Sequence, residues 1–113
     1  MAKVSLQGRG SVDETVNLLK REIQNSGLSC TLVDSVERNT GSATLYVMVF
    51  EKYYMRTSNR ASLTVVVSGE NDFVYVDAIG AGGGQGAIFR FSWGAEDDFA
   101  GTVTRILKPH GFQ

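Results

Sequence analysis

The sequence predicts an α+β domain: an antiparallel sheet of about five to six strands with two helices packed on one face. Three features carry that expectation. A 3.6-residue apolar period marks a segment near the start, and a period of two then runs through the middle of the chain. The links between the alternating segments are short, as hairpins require and parallel crossovers do not allow. Each helical segment has a single apolar stripe, so it can cover a sheet but cannot be buried all round.

The elements follow in order. Lys3–Gln7 reads as a short strand with Val4 and Leu6 on one side, broken by Gly8-Arg9-Gly10. Ser11 followed by Glu14 has capping-box spacing, and Asp13 adds negative charge to the first helical turn. Val12, Val16, Leu19 and Ile23 then recur on one helical face, so helix 1 spans about Val12–Ser26, with Gly27 as a left-handed cap.

From Leu28 the period becomes two, slipping near Asp34–Val36 in the manner of a bulge. Asn39-Thr40-Gly41-Ser42 turns the chain into the strand Ala43–Phe50. Arg60–Ser68 and Phe73–Ile79 follow, joined by Gly69-Glu70-Asn71-Asp72. β-branched and aromatic residues dominate these runs, as a half-buried pleated surface favours. A glycine-rich loop, Gly80–Gly86, leads to a further alternating run, Ala87–Trp93. Gly94 opens the second helix, whose start carries Glu96, Asp97 and Asp98. Its stripe is Phe99, Val103 and Ile106, and Lys108-Pro109 end it. The order is β-α-β-β-β-β-β-α in one domain, residues 1–113.

Composition narrows the class. At 113 residues, 42% apolar and 20% charged, the chain is globular and of ordinary domain size. Its one cysteine, Cys30, allows no intramolecular disulfide and reads as a small core residue. No run has the length of a signal sequence or approaches the roughly 20 apolar residues of a membrane span, so the expected location is cytoplasmic. The net charge of −1 argues against a dedicated nucleic-acid binder.

In a meander, alternate loops share an end of the sheet. The expectation is a basic pole holding Lys20, Arg21, Lys52, Arg56, Arg60, Arg105 and Lys108. An acidic pole would hold Asp13, Glu14, Glu70, Asp72, Glu96, Asp97 and Asp98. Complementation of the helix dipoles explains most of this layout without any function.

Four candidate sites follow. Gly82–Ala87 matches G-x-G-x-x-A, yet a strand and not a helix comes next, so the dinucleotide-binding context is missing and a hairpin loop is the better reading. The loop Lys52-Tyr53-Tyr54-Met55-Arg56, with Arg60 beyond, interleaves bases and aromatics. With backbone amides of Gly82, Gly83 and Gly84 it could hold a small anion such as a phosphate or nucleotide, although solvated bases on a hairpin tip explain the same residues. Tyr46, Met48 and Phe50 share one side of their strand. With the helices assigned to the opposite side, they form an open apolar face for homodimerisation. Catalysis is poorly supplied. His110 is the sole histidine and lies in the C-terminal tail, and an Asp34–Asp77 carboxylate pair cannot be placed together from sequence. No catalytic residue, metal site or cofactor is assigned.

The segments Ala43–Tyr54 (ATLYVMVFEKYY) and Arg60–Ala87 (RASLTVVVSGENDFVYVDAIGAGGGQGA), followed by the final helix, resemble small bacterial proteins of unknown function. The resemblance spans most of the chain and its motifs are structural. It implies a bacterial cytosolic single-domain protein and brings no catalytic residues with it. The overall expectation is a non-enzymatic interaction or binding module that self-associates through an open sheet face. The anion site at the basic pole is the alternative.

Overall fold

The computed structural model describes residues 2–27, 29–55, 58–82 and 95–113, with backbone only for 95–97. Strand β1 (Ala2–Arg9) leads into helix α1 (Val12–Gln24). Four strands follow: β2 (Cys30–Thr40), β3 (Ala43–Tyr54), β4 (Asn59–Glu70) and β5 (Phe73–Gly82). Helix α2 (Ala95–Leu107) and a 3₁₀ turn (Lys108–His110) close the chain. The described strands form one sheet in the order β1-β5-β4-β3-β2, every neighbour antiparallel. The α+β expectation holds. The expected strand at Ala87–Trp93 lies outside the described residues.

Turn chemistry sets the hairpins. Between β4 and β5 the chain reverses over Asn71 and Asp72, both left-handed at φ 55° and 66°, the geometry that matches strand twist. Gly41, at φ 64°, plays a similar part between β2 and β3. The slip read near Asp34 is a bulge: the pairing of β2 with β3 jumps from Leu32↔Phe50 to Asp34↔Val49, leaving Val33 over.

Helix α1 is capped as its sequence asks, with Ser11 Oγ accepting from the Glu14 N–H at 3.1 Å. Its other end departs from expectation. Asn25 ends the helix, its N–H donating to the Arg21 carbonyl at 3.2 Å and the next N–H, of Ser26, to the Ile23 carbonyl at 3.0 Å. Gly27 is not left-handed; a Cβ there would sit 2.6 Å from Lys52 Cε, so this glycine makes room for a lysine side chain.

Both helices lie on one face. Val12, Thr15, Val16, Leu19 and Ile23 of α1, and Phe99, Ala100, Val103 and Leu107 of α2, pack on Met48, Phe50, Leu63, Val65, Val67, Val74, Val76 and Ala78. Ala61, Leu63, Val65 and Val67 alternate with Ser62, Thr64, Val66 and Ser68, so β4 separates a core face from a solvent face.

The helices run antiparallel to each other, which overturns the two-pole layout. Helix α1 starts beside the β4–β5 turn, where the Gly10 N–H bonds the Asp72 carbonyl at 2.9 Å. Helix α2 starts at the opposite end, where Phe99 meets the Tyr54 ring. Its C-terminus therefore returns to the end of the sheet where α1 starts, the end expected to be acidic, and Lys108 goes with it. Asp98 ends up among the residues assigned to the basic pole. The physical reason is that β5 ends and α2 begins at the same end of the sheet.

The tail is also anchored. Phe112 is buried over Gly8, 3.0 Å from where a Cβ would stand. Gln113 and Gln7 exchange backbone hydrogen bonds of 3.0 and 2.9 Å, so the chain's last residue adds a bridge to the outer edge of β1.

Candidate functional site

The apolar face expected to be open is the covered one. Met48 and Phe50 are fully buried, and Tyr46 is partly buried against the core, its hydroxyl accepting from Lys20 Nζ at 3.3 Å. The assignment of this trio to an interface is corrected by the helices resting on it. Alternation alone left both faces of β3 apolar, since Leu45, Val47 and Val49 oppose Tyr46, Met48 and Phe50. A decisive signal was nevertheless present next door. The polar residues Ser62, Thr64 and Ser68 mark the wet side of β4, and antiparallel pairing places Met48 opposite Val65 on the dry side.

The other face is uncovered by either helix. Strand pairing lines up three cross-sheet rows on it. Ser5, Asp77, Val66, Val47 and Val36 form one. Lys3, Ile79, Thr64, Val49 and Asp34 form the second, and Gln7, Tyr75, Ser68, Leu45 and Arg38 the third. Val36 and Tyr75 are 45% and 48% exposed, with Leu45 and Ile79 close behind, so the apolar residues run diagonally across the sheet in solvent. Ser5 Oγ donates to Asp77 at 2.7 Å and fixes the one carboxylate at the centre. Asp34 and Asp77 are on this face but three strands apart, which excludes the carboxylate pair.

The basic hairpin is longer and more divided than expected. Lys52, Tyr53 and Tyr54 belong to β3, which runs to Tyr54, and Arg60 belongs to β4, which begins at Asn59. Pleating then sends the side chains to opposite faces. Arg60 and Tyr53 lie on the open face, the guanidinium 5.8 Å from the ring centroid and 3.6 Å from Glu51. Lys52 and Tyr54 lie on the helix face. Lys52 Nζ donates to the Ser26 carbonyl at 3.2 Å and stands 5.0 Å from the Tyr54 ring and 5.7 Å from that of Phe99. Tyr53, Tyr54 and Arg60 are therefore not gathered around one anion. Gly82 ends β5 and is exposed; Arg56, Gly83 and Gly84 lie outside the described residues.

The helix-side group is a polar seam at the end of the core. Tyr54 donates its hydroxyl to Asp98 at 3.2 Å. Burial pushes the phenol well above its ordinary range, and the Asp98 carboxylate, by charge and hydrogen bond, pushes it further. Burial also raises the Cys30 thiol, offset in part by Ser26 and by the Lys52 ammonium. Neither group is poised as a nucleophile at neutral pH. The sign for stability is explicit. Both folded values are raised, so the unfolded chain ionises first on alkalinisation; the stabilisation is complete below about pH 8.5 and is lost as pH rises toward the folded values. Thermal melts between about pH 8 and pH 11 are expected to show a falling midpoint, and Tyr54→Phe should flatten the upper part of that fall. A midpoint independent of pH in the wild type would contradict this placement.

Among the described residues, no group of three or more His, Cys, Asp and Glu side chains could hold a metal ion, and no helix is long and apolar enough to cross a membrane. The sheet, its helices and the tail occupy nearly the whole chain, and a family model spans the same extent. The model for a family of unknown function (DUF6054) matches residues 1–111. The chain belongs to DUF6054. No curated protein matches it. DUF6054 membership agrees with the resemblance drawn from Ala43–Tyr54 and Arg60–Ala87 and assigns no residue a role.

Proposed function

We propose that this DUF6054 chain is a non-enzymatic interaction module that pairs with a second copy of itself through the open sheet face. One observation carries the reading: Val36, Leu45, Tyr75 and Ile79 are solvent-exposed on a face that neither helix covers. Contiguous apolar surface of this kind on a small domain is costly unless something covers it.

Size and charge favour a second copy as the cover. Five strands about 4.8 Å apart and some nine residues long outline a face on the order of 700 Å², near the roughly 800 Å² per partner of a standard interface. A two-fold axis along the strand direction would stack each row on its own reverse. Lys3 on one edge would then meet Asp34 on the other, Ile79 would meet Val49, and Tyr75 would meet Leu45. Such an isologous interface pairs the edge charges and most of the apolar residues, while Asp77, already bonded to Ser5, would face Val47. A bacterial, cytoplasmic setting belongs to the same proposal, supported by the buried free thiol of Cys30 and by the resemblance described above.

The anion reading has less support, because the Glu51 carboxylate already faces Arg60 and Lys52 is turned into the helix side.

Light scattering on a size-exclusion column tests the pairing. The wild type is expected at twice the chain mass, and Val47→Glu with Leu45→Glu is expected at one chain mass, with the wild-type circular dichroism retained and a melting temperature that no longer rises with protein concentration. Lys3→Asp alone should weaken the dimer, and adding Asp34→Lys should restore it. A wild type that stays at one chain mass at the highest attainable concentration sinks the proposal.

A further inference from the structure

Asp77 lies near the middle of the open face, between Ser5 on β1 and Val66 on β4. It is the one charged residue in the row Ser5, Asp77, Val66, Val47 and Val36, and Ser5 Oγ donates to it at 2.7 Å. Strand register fixes its other neighbours on that face. Lys3 and Gln7 of β1 and Thr64 and Ser68 of β4 stand diagonally, and Tyr75 and Ile79 flank it along β5. Lys3 is the only cation among them. In the stacking proposed above, that ammonium is taken by Asp34 of the second copy.

We infer that Asp77 and Ser5 keep the pairing reversible, so that the chain passes between one and two copies with concentration; the inference rests on the face-to-face reading given above. Stacking each row on its reverse sets Asp77 against Val47 of the second copy. In the single chain the carboxylate is only partly covered, and water solvates it. In the pair an apolar side chain displaces that water, and among the described residues the Ser5 hydroxyl is the one side-chain donor left. Taking a carboxylate out of water with one hydrogen bond and no cation is costly. Two-fold symmetry applies the cost twice. The axis itself carries the same character. Strand β4 lies on it, so Thr64 and Ser68 meet their own counterparts on either side of Val66. Permanent dimers bury more surface, and more apolar surface, than two faces of this kind; they cover about 2,000 Å² or more in total, against roughly 1,400 Å² for two faces of about 700 Å². Ser5 acts through Asp77, because without its proton the covered carboxylate has no side-chain donor.

Sedimentation velocity over a wide dilution range gives the dissociation constant of the pair for wild type, Asp77→Asn, Ser5→Ala and the double variant. Asparagine keeps the shape of aspartate, removes the charge, and still offers an oxygen to the Ser5 hydroxyl. Asp77→Asn is expected to tighten the pair at least about tenfold, and Ser5→Ala to weaken it at least about tenfold. With Asp77→Asn already in place, the loss from Ser5→Ala should shrink at least about threefold, because no charge remains to be solvated. Melting at the lowest concentration, where one copy prevails, is expected to be alike in all four proteins. If Ser5 and Asp77 serve only to hold β1 on β5, the substitutions will shift that melting and leave the dissociation constant unchanged, which overturns the inference. A wild type that pairs, with an Asp77→Asn variant that pairs no more tightly, overturns it as well and leaves the pairing intact. Failure of the pairing itself looks different: wild type and Asp77→Asn both stay at one chain mass, and the two proposals fall together.

Discussion

Phe50→Ala is expected to lower the unfolding free energy by about 3–5 kcal/mol, a large part of the roughly 5–15 kcal/mol that holds a small domain together. Phe50 is fully buried, flanked in the sheet by Leu32 on β2 and Leu63 on β4, with both helices above. Truncating it removes the transfer free energy of the ring and leaves a cavity that rigid sheet neighbours cannot collapse into. The neighbouring change Val49→Ala, on the opposite side of the same strand, should cost about 1 kcal/mol or less in the monomer. Denaturant unfolding reads both, as a shift of midpoint at constant slope. If the two substitutions cost the same, the assignment of faces on β3 is wrong, and the open surface proposed for pairing goes with it.

Gly69→Ala is the second large effect. Gly69 lies on the helix side of β4, where a Cβ would stand 2.7 Å from the Phe73 carbonyl oxygen and 2.7 Å from a Val12 methyl. The first obstacle is backbone, held by the tight turn over Asn71 and Asp72. The second is a branched side chain at the first turn of α1, with little rotamer freedom. Either the hairpin or the helix start must move, at a cost of about 1–3 kcal/mol. Because Gly10 is bonded to Asp72 beside this contact, the disturbance should also lower hydrogen-exchange protection across the α1 start. Full wild-type stability in Gly69→Ala would show that the helix does not rest there.

The parts of this fold that could be read ahead are those governed by local rules. The Ser11–Glu14 cap, the Val12-to-Ile23 stripe, the bulge near Asp34 and the turns from β2 to β3 and from β4 to β5 depend on residues within a few positions of each other, and each is where the sequence places it. The parts misread depend on pairings between distant segments. Tyr46, Met48 and Phe50 are compatible with either face by alternation alone, and the polar residues of the paired strand β4 decide between them. The direction of α2 follows from where β5 stops, which periodicity does not encode. A residue after a proline near a terminus is usually frayed, whereas Phe112 over the bare backbone of Gly8 and the Gln7–Gln113 bridge hold His110 firmly. Lys52 and Arg60 look like neighbours in a loop until pleating sends them to opposite sides.

The sheet order has a bearing on assembly in time. Strands β2 to β5 pair with one another only as sequence neighbours, so their hairpins can close over a few residues in microseconds. Residues 2–9 must instead wait for residues 73–80, across a loop whose closure entropy exceeds that of any hairpin in the molecule. The first strand to be synthesised is thus the last to find its place. Until it docks, the margin of β5 stays unpaired and the floor beneath α2 is unfinished. Errors of association during folding would begin at that seam.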